Sequence, residues 1–293
     1  MNSRLISLDF FRGLTIAAMI VVNDPGSWSY VYPPLRHADW HGVTPTDLVF
    51  PFFLFIVGVS IVLALSKRNK KDSSIYFKII KRTIIIFSIG LFLALFPSFD
   101  FENLRIAGVL QRIALVYLFC SVIYLNSSFL VQVWIGVVLL LLYWVFMTKI
   151  PFDNVLAGTI EPGNNFAAWV DQFITPGRMY QKTWDPEGFF STIPAIATGI
   201  TGMFCGHILL NKSKDLRDKI ILIFVVGFSA MCLGLLRDYS FPMNKHIWTS
   251  SYVLFSSGLA MLFLATCIWV CLLYTSYAAD DSLRVDLGGR PLT

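Results

Sequence analysis

Hydrophobic positions along this chain come in long unbroken runs, not in the alternating or three-to-four-residue spacing of half-buried strands and amphipathic helices. Eight runs stand out, near 7–23, 47–66, 83–99, 106–125, 129–148, 189–210, 219–236 and 249–271. A helix needs about 20 mainly apolar residues to cross a bilayer, and each run approaches that length. Two are the weakest: 83–99 is short and ends at Pro97, and 106–125 holds Gln111 and Arg112. The sequence lacks the short alternating segments of a membrane β-barrel. Lipid offers no hydrogen-bond partners, so each backbone group has to be satisfied within its own helix. The pattern predicts an all-α, polytopic transmembrane helical bundle of about eight spans.

Composition strengthens this reading. Of 293 residues, 56% are hydrophobic and 14% charged, and the mean hydropathy is +0.67. An ordinary soluble domain carries about 25% charge, so a disordered chain, a disulfide scaffold and a cytosolic enzyme are excluded. The 26 Phe, 11 Tyr and 8 Trp suit lipid-facing surfaces and interfacial belts. The five cysteines all lie in apolar runs without CxxC pairs and read as small packing residues. The first run carries Asp9 and Arg12 and has no small-residue cleavage site, so it reads as a span and not a cleaved signal. Residues 1–271 form one expected transmembrane unit, with 149–188, rich in Pro, Gly, Asn and Trp, as a cap of short helices. After Cys271 the chain turns abruptly polar, so 272–293 is expected to be a non-native or disordered tail on a C-terminally truncated bundle.

The distribution of charge says more than the net +5, which leaves no footprint for nucleic acid. One loop gathers Lys67, Arg68, Lys70, Lys71, Lys78, Lys81 and Arg82, and another gathers Lys212, Lys214, Arg217 and Lys219. Counting spans alternately puts both loops on one side, which positive-inside bias makes cytoplasmic together with the N-terminus. The segments 24–46, 98–105, 149–188 and 237–248 then share the opposite side.

Ionisable residues within spans are costly and tend to be functional. Asp9 and Arg12 share a helix face, as a structural bridge or as part of a site. Arg105 and Arg112, seven apart on one expected helical face beside Gln111, would take either an anion such as phosphate or Asp9 or Asp47 from other helices. The segment Asn23–Pro51 is the densest in polar groups and holds two of the four histidines. His37 suits proton transfer or nucleophilic attack, or simple loop hydrogen bonding. Asp47, with Thr44 and Thr46, resembles a helix start. His37 and His41 are four apart, but Pro33, Pro34 and Gly42 deny them a helix, and no metal is expected. Two more motifs fall on the His37 side: WDPEG, with Asp185 and Glu187, and FPMNKHIWTSSY, with Asn244, Lys245 and Trp248. Acids, an amide, a cation and indoles on one rim suit a sugar, and equally an interfacial belt.

In order along residues 4–270, SLDFFRG, VVNDPG, HADWHG, TDLVFPFFLFIVG, RIAGVLQRIA, WDPEG and NKHIWTSSY resemble the bacterial relatives of heparan-α-glucosaminide N-acetyltransferase, within a superfamily of transmembrane acyltransferases. HADW followed by TDLVFP carries most of the resemblance. It implies transfer of acetyl from cytoplasmic acetyl-CoA, as cosubstrate, to the amine of a glucosamine-type acceptor on the other side of a bacterial inner membrane. A homodimer is in keeping with the family, and membrane lipid surrounds it. The family's active histidine falls on His37 and its active-site asparagine on Asn23. Asp9, Arg12, Trp40, Asp47, Arg105, Gln111, Arg112, Asp185, Glu187, Asn244, Lys245 and Trp248 are the expected substrate- or CoA-binding set. His41 stands where the lysosomal enzyme has asparagine, so no role falls to it.

A neutral imidazole at His37 would deprotonate the glucosamine ammonium or itself accept the acetyl group, and Asn23 would donate to the oxyanion. The competing class is a transporter or flippase for a sugar or lipid-linked sugar, which intramembrane Asp and Arg suit equally well. Transporters often carry two repeats, and none is evident here.

Overall fold

In the computed structural model, residues 6–68 and 72–287 are described, with side chains as far as residue 272 other than that of Trp28. Nine α-helices occur among them: α1 Ile6–Asn23, α2 Val49–Leu65, α3 Ser73–Leu95, α4 Val109–Asn126, α5 Phe129–Lys149, α6 Phe166–Ile174, α7 Thr192–Leu210, α8 Leu216–Asp238 and α9 Ser250–Leu287. The only sheet among the described residues is a two-stranded hairpin, β1 Ile160–Glu161 with β2 Asn164–Asn165. The expected all-α bundle is the observed architecture. Among the described residues, seven helices are long and apolar enough to cross a membrane.

The third expected run differs in detail. It forms α3, which begins ten residues earlier than 83, where the Asp72 side chain accepts the Ser74 N–H as a cap. Lys78, Lys81 and Arg82 sit on its first half and keep it outside the seven by charge, although 23 residues at about 1.5 Å each span ~34 Å. Long basic stems of this kind reach the interface from within a helix. The fourth run also starts later than read. Residues 105–108 are extended, Arg105 bridges Gly177, and α4 begins only after Gly108. Arg105 and Arg112 therefore do not share a helix face. The cap holds the hairpin and one helix, α6, capped by Asn165 accepting from Ala168 N. Past the expected boundary at residue 271, α9 continues as helix to Leu287. Residues 288–293 of the expected tail, and Lys70 and Lys71 of the first cationic loop, lie outside the described residues.

Helices α2, α7 and α9 form the centre. The Cβ of any larger residue at Gly58 would lie 1.9 Å from the Gly199 carbonyl oxygen, and one at Gly202 would lie 2.0 Å from that of Phe55. So α2 and α7 touch backbone to backbone, the close approach that small residues permit in lipid. Gly234 and Gly258 do the same for α8 against α9. Around this centre α3, α5 and α8 expose Ile84, Phe92, Leu130, Trp134, Phe224 and Phe228 to the surroundings.

Three backbone and side-chain bonds bring the connecting segments together at one end. Gly42 N donates to Met243 O (2.8 Å), Trp40 Nε1 to Ile160 O (2.8 Å), and Arg178 N to Leu104 O (2.9 Å). The segments before α2, before α4, before α7 and before α9 thus meet on a single rim. That arrangement requires α3 to run from one end of the bundle to the other.

Candidate active site

The segment before α2 is built to hold one carboxylate. Thr44 N-caps a short 3₁₀ turn, Pro45–Leu48, whose third residue is Asp47. Asp47 is 1% exposed, and its Oδ2 accepts Thr44 N (3.0 Å) and Ala38 N (3.1 Å). Tyr252 of α9 donates its hydroxyl to the Asp47 backbone carbonyl. With Oδ2 occupied, Oδ1 faces His37, whose Nδ1 lies 2.7 Å away.

A second segment delivers a cation to the same point. Asn244, fully buried, accepts His246 N (2.8 Å) and Ile247 N (3.1 Å) on Oδ1 and so closes the turn before α9. This turn carries Lys245 to 3.0 Å from His37 Nδ1 and 3.4 Å from Asp47 Oδ1. One ring nitrogen cannot both donate to a carboxylate and accept from an ammonium. The carboxylate contact is the shorter, so Nδ1 is taken as the ring nitrogen that donates, to Asp47 Oδ1, leaving Nε2 turned away from the carboxylate. Burial holds the Lys245 ammonium below the usual lysine range, opposed by the Asp47 charge and then that of Glu187. Burial likewise pushes His246 down. Its ring stacks on Trp40, with centroids 5.3 Å apart and planes within 6°, and Trp184 meets both rings edge-on.

A neighbouring cluster joins the segments before α4 and α7. Arg105 donates to Asp185 through Nε (2.7 Å) and Nη2 (2.6 Å), and also to Glu187. Backbone N–H groups of Tyr180 and Glu187 complete the shell of Asp185. Burial lowers the Arg105 guanidinium's affinity for its proton, but the two acids outweigh that and hold it above the ordinary arginine value. Arg112 is 1% exposed; it donates through Nη2 to Gly188 O and to Ser191, with the guanidinium 5.1 Å from the centre of the Trp248 ring. Its Nε and Nη1 have no partner among the described residues. Trp248 itself is buried, donates Nε1 to Thr198 (3.2 Å) and sits at φ +50°. Gln111 lies between Gly90 and Gly108 and lines, with Arg105, a cavity of about 200 Å³ between α3 and α4.

Thus the structure gathers His37, Asp47, Lys245, Asn244, Trp40, Arg105, Asp185, Glu187, Arg112, Gln111 and Trp248 at one end of the bundle. It does not bring every expected residue there. Asn23 is exposed at the end of α1 and donates to Met19 O (2.9 Å), with no hydrogen bond to His37. Asp9 and Arg12 pair at 3.1 Å, and Arg12 also donates to Ser60, near the other end of α2. Two groups are not singled out by the sequence: His246, which sits inside the FPMNKHIWTSSY motif without marking itself, and Asp171 of α6, which carries no motif. Asp171 is 2% exposed, accepts Phe190 N (2.9 Å), and is pushed up to about 6 by burial. Nothing local in the sequence marks it, because its partners lie 19 residues on and in another helix. No group of three or more His, Cys, Asp or Glu among the described residues is placed to hold a metal ion.

Residues 4–227 match the family model described as heparan-alpha-glucosaminide N-acetyltransferase, catalytic. The human heparan-alpha-glucosaminide N-acetyltransferase is 28% identical over 327 aligned positions, covering 89% of this chain and 48% of the human protein. The mouse protein of the same name is 28% identical, covering 86% of this chain and 47% of its own length. The chain therefore spans about half the length of these curated relatives.

Proposed function

This chain belongs to the heparan-α-glucosaminide N-acetyltransferase family, and from that premise we propose that it is a membrane-embedded acetyltransferase using acetyl-CoA, with His37 at its reacting centre. The acceptor is the amine of a glucosamine-type sugar. The supporting observation is the His37–Asp47 pair: a carboxylate whose second oxygen is held by two backbone N–H groups, aimed at Nδ1 of a histidine that is 38% exposed on the rim.

That pairing fixes the tautomer needed. With Nδ1–H on Asp47, Nε2 offers a lone pair, which takes a proton from the sugar ammonium or attacks the thioester carbonyl directly. Asp47 then stabilises the imidazolium that forms. Attack turns the carbonyl oxygen into an oxyanion, for which Asn23 is the proposed donor once its amide leaves the Met19 carbonyl; collapse then breaks the C–S bond and releases CoA as thiolate, which takes up the proton that the sugar amine gives up. Trp40, Trp184 and His246 offer ring faces and edges, and Glu187 a nearby carboxylate, suited to a sugar's apolar face and hydroxyls. The cations Lys67, Arg68, Lys212, Lys214, Arg217 and Lys219 cluster at the opposite end. Positive-inside bias supports reading that end as the cytoplasmic one, and the same cations suit the phosphates of the donor. Asp9 and Arg12 lie toward that donor side, and the N-terminus is cytoplasmic on this reading.

The test uses the full chain in detergent with radiolabelled acetyl-CoA and glucosamine. His37→Ala is expected to bind acetyl-CoA and transfer no label. Transfer by His37→Ala at the wild-type rate would remove His37 from the reaction. Label found on the His37 peptide in the absence of sugar marks the two-step route, and full turnover without such label marks direct transfer.

A further inference from the structure

His37 faces a carboxylate and an ammonium at one nitrogen, and the two act on it in opposite directions. A carboxylate this close favours the charged imidazolium, while a cation disfavours it. Asp47 Oδ1 lies 2.7 Å from Nδ1, and Lys245 Nζ lies 3.0 Å from the same atom and 3.5 Å from Nε2. Asp47 alone would orient the ring at the expense of keeping it protonated. A protonated ring can neither take a proton nor accept an acetyl group. A partly buried cation alongside offsets that expense while leaving the Nδ1–H···Oδ1 bond in place.

We propose that Lys245 is a positioning residue that keeps His37 neutral against the pull of Asp47, so that one carboxylate can orient the ring without charging it. The role in transfer rests on the reading of His37 given above, but the effect on the ring does not. Lys245 is suited to the task by its placement. Its side chain is 17% exposed, it comes from a turn closed by the buried Asn244, and it has an Asp47 oxygen at 3.4 Å to hold it in register. The other charged groups around His37 do not substitute for it. Arg36 donates to Val31 O and Ser29 O on its own loop. Asp39 is two residues along that same loop. His246 is engaged with Trp40. Glu187 acts on Lys245 and His246 from the segment before α7 and is bound to Arg105.

The experiment follows carbethoxylation of His37 by diethylpyrocarbonate against pH, read by mass spectrometry on the His37 peptide of the full chain in detergent. It needs no acetyl transfer. Lys245→Met and Lys245→Gln are expected to raise the midpoint of His37 by about one to two pH units, and Lys245→Arg is expected to leave it in place. The acid limb of the pH–rate profile for transfer moves by the same amount, with activity recovered at higher pH. If Lys245→Met loses its fold, the neutral, polar Lys245→Gln carries the comparison, with a thermal melt as control. An unmoved His37 midpoint in a folded neutral variant overturns the proposal. So does a raised KM for sugar with an unmoved midpoint, which would make Lys245 a substrate contact. A moved midpoint together with full activity of His37→Ala leaves the proposal standing and overturns the functional reading instead.

Discussion

Replacing Asp47 by Asn changes one atom's worth of volume, yet the site geometry makes it a severe lesion. An asparagine has one carbonyl oxygen to serve two positions. At Oδ2 it keeps the Thr44 and Ala38 N–H groups, and its NH₂ then faces His37 Nδ1 and donates to it. That selects the opposite tautomer, with the proton on Nε2. In the flipped amide the NH₂ opposes two backbone donors, leaving both unsatisfied at roughly 1–3 kcal/mol each. The correct tautomer therefore lies at least about 2 kcal/mol above the wrong one, a population near one in thirty. Loss of the carboxylate's support for the imidazolium adds to this; in a Ser-His-Asp triad the same exchange costs about 10⁴ in rate. The expected result for Asp47→Asn is a fall in kcat on the order of 10³–10⁴. Acetyl-CoA affinity and melting temperature should change little, because the helix-start bonds survive. Initial rates with saturating donor, isothermal titration of acetyl-CoA and a thermal melt in detergent would measure the three. A rate within ten-fold of wild type, in a protein that binds donor normally, would refute the tautomer argument.

Other changes test other parts of the rim. Asn23→Ala is expected to lower kcat about 10²–10³-fold if its amide reaches the oxyanion; a rate within three-fold would leave it a cap on α1. Asp185→Ala strands Arg105, 29% exposed, beside Glu187 alone, and should cost about 3–5 kcal/mol by denaturation in mixed micelles. Gly202→Val drives a side chain against the Phe55 carbonyl and should abolish a cooperative melt. Asp171, held at about 6 against the ordinary 3.8, binds its proton more tightly when folded. Its contribution to stability is thus full below about pH 4 and lost as pH rises through 6. At ~1.4 kcal/mol per unit the loss is up to about 3 kcal/mol. Asp171→Asn should flatten the stability-against-pH curve across that window, and an unchanged curve would contradict it.

The helical runs were legible because lipid imposes one rule on every span, and long apolar stretches have no other soluble use. Boundaries were less so. The start of α3 depends on Asp72 as a cap and on basic stems that an apolar count treats as interruptions. The start of α4 depends on Gly108 and on a bridge from Arg105 to Gly177 across the cap. The residues that converge on the rim were visible as polar groups in costly places, His37, Asp47 and Lys245 among them. Their mutual distances were not, since Lys245 lies 208 residues from His37. Asp171 could not have been picked out, because an acid on a short helix in a loop looks like any solvated surface residue until the fold buries it.

The glycine contact between α2 and α7 carries a consequence for inheritance of defects. Asp47 begins at the head of one of these helices, and the Glu187 segment leads into the other. Alanine at Gly58 or Gly202, the smallest such widening, pries the two rods apart deep in the oil without the gross clash of valine. The damage would then register at the rim, as temperature-sensitive loss of turnover in a protein whose reacting atoms are all intact. Screens for inactive alleles should accordingly recover mid-membrane glycines alongside the histidine.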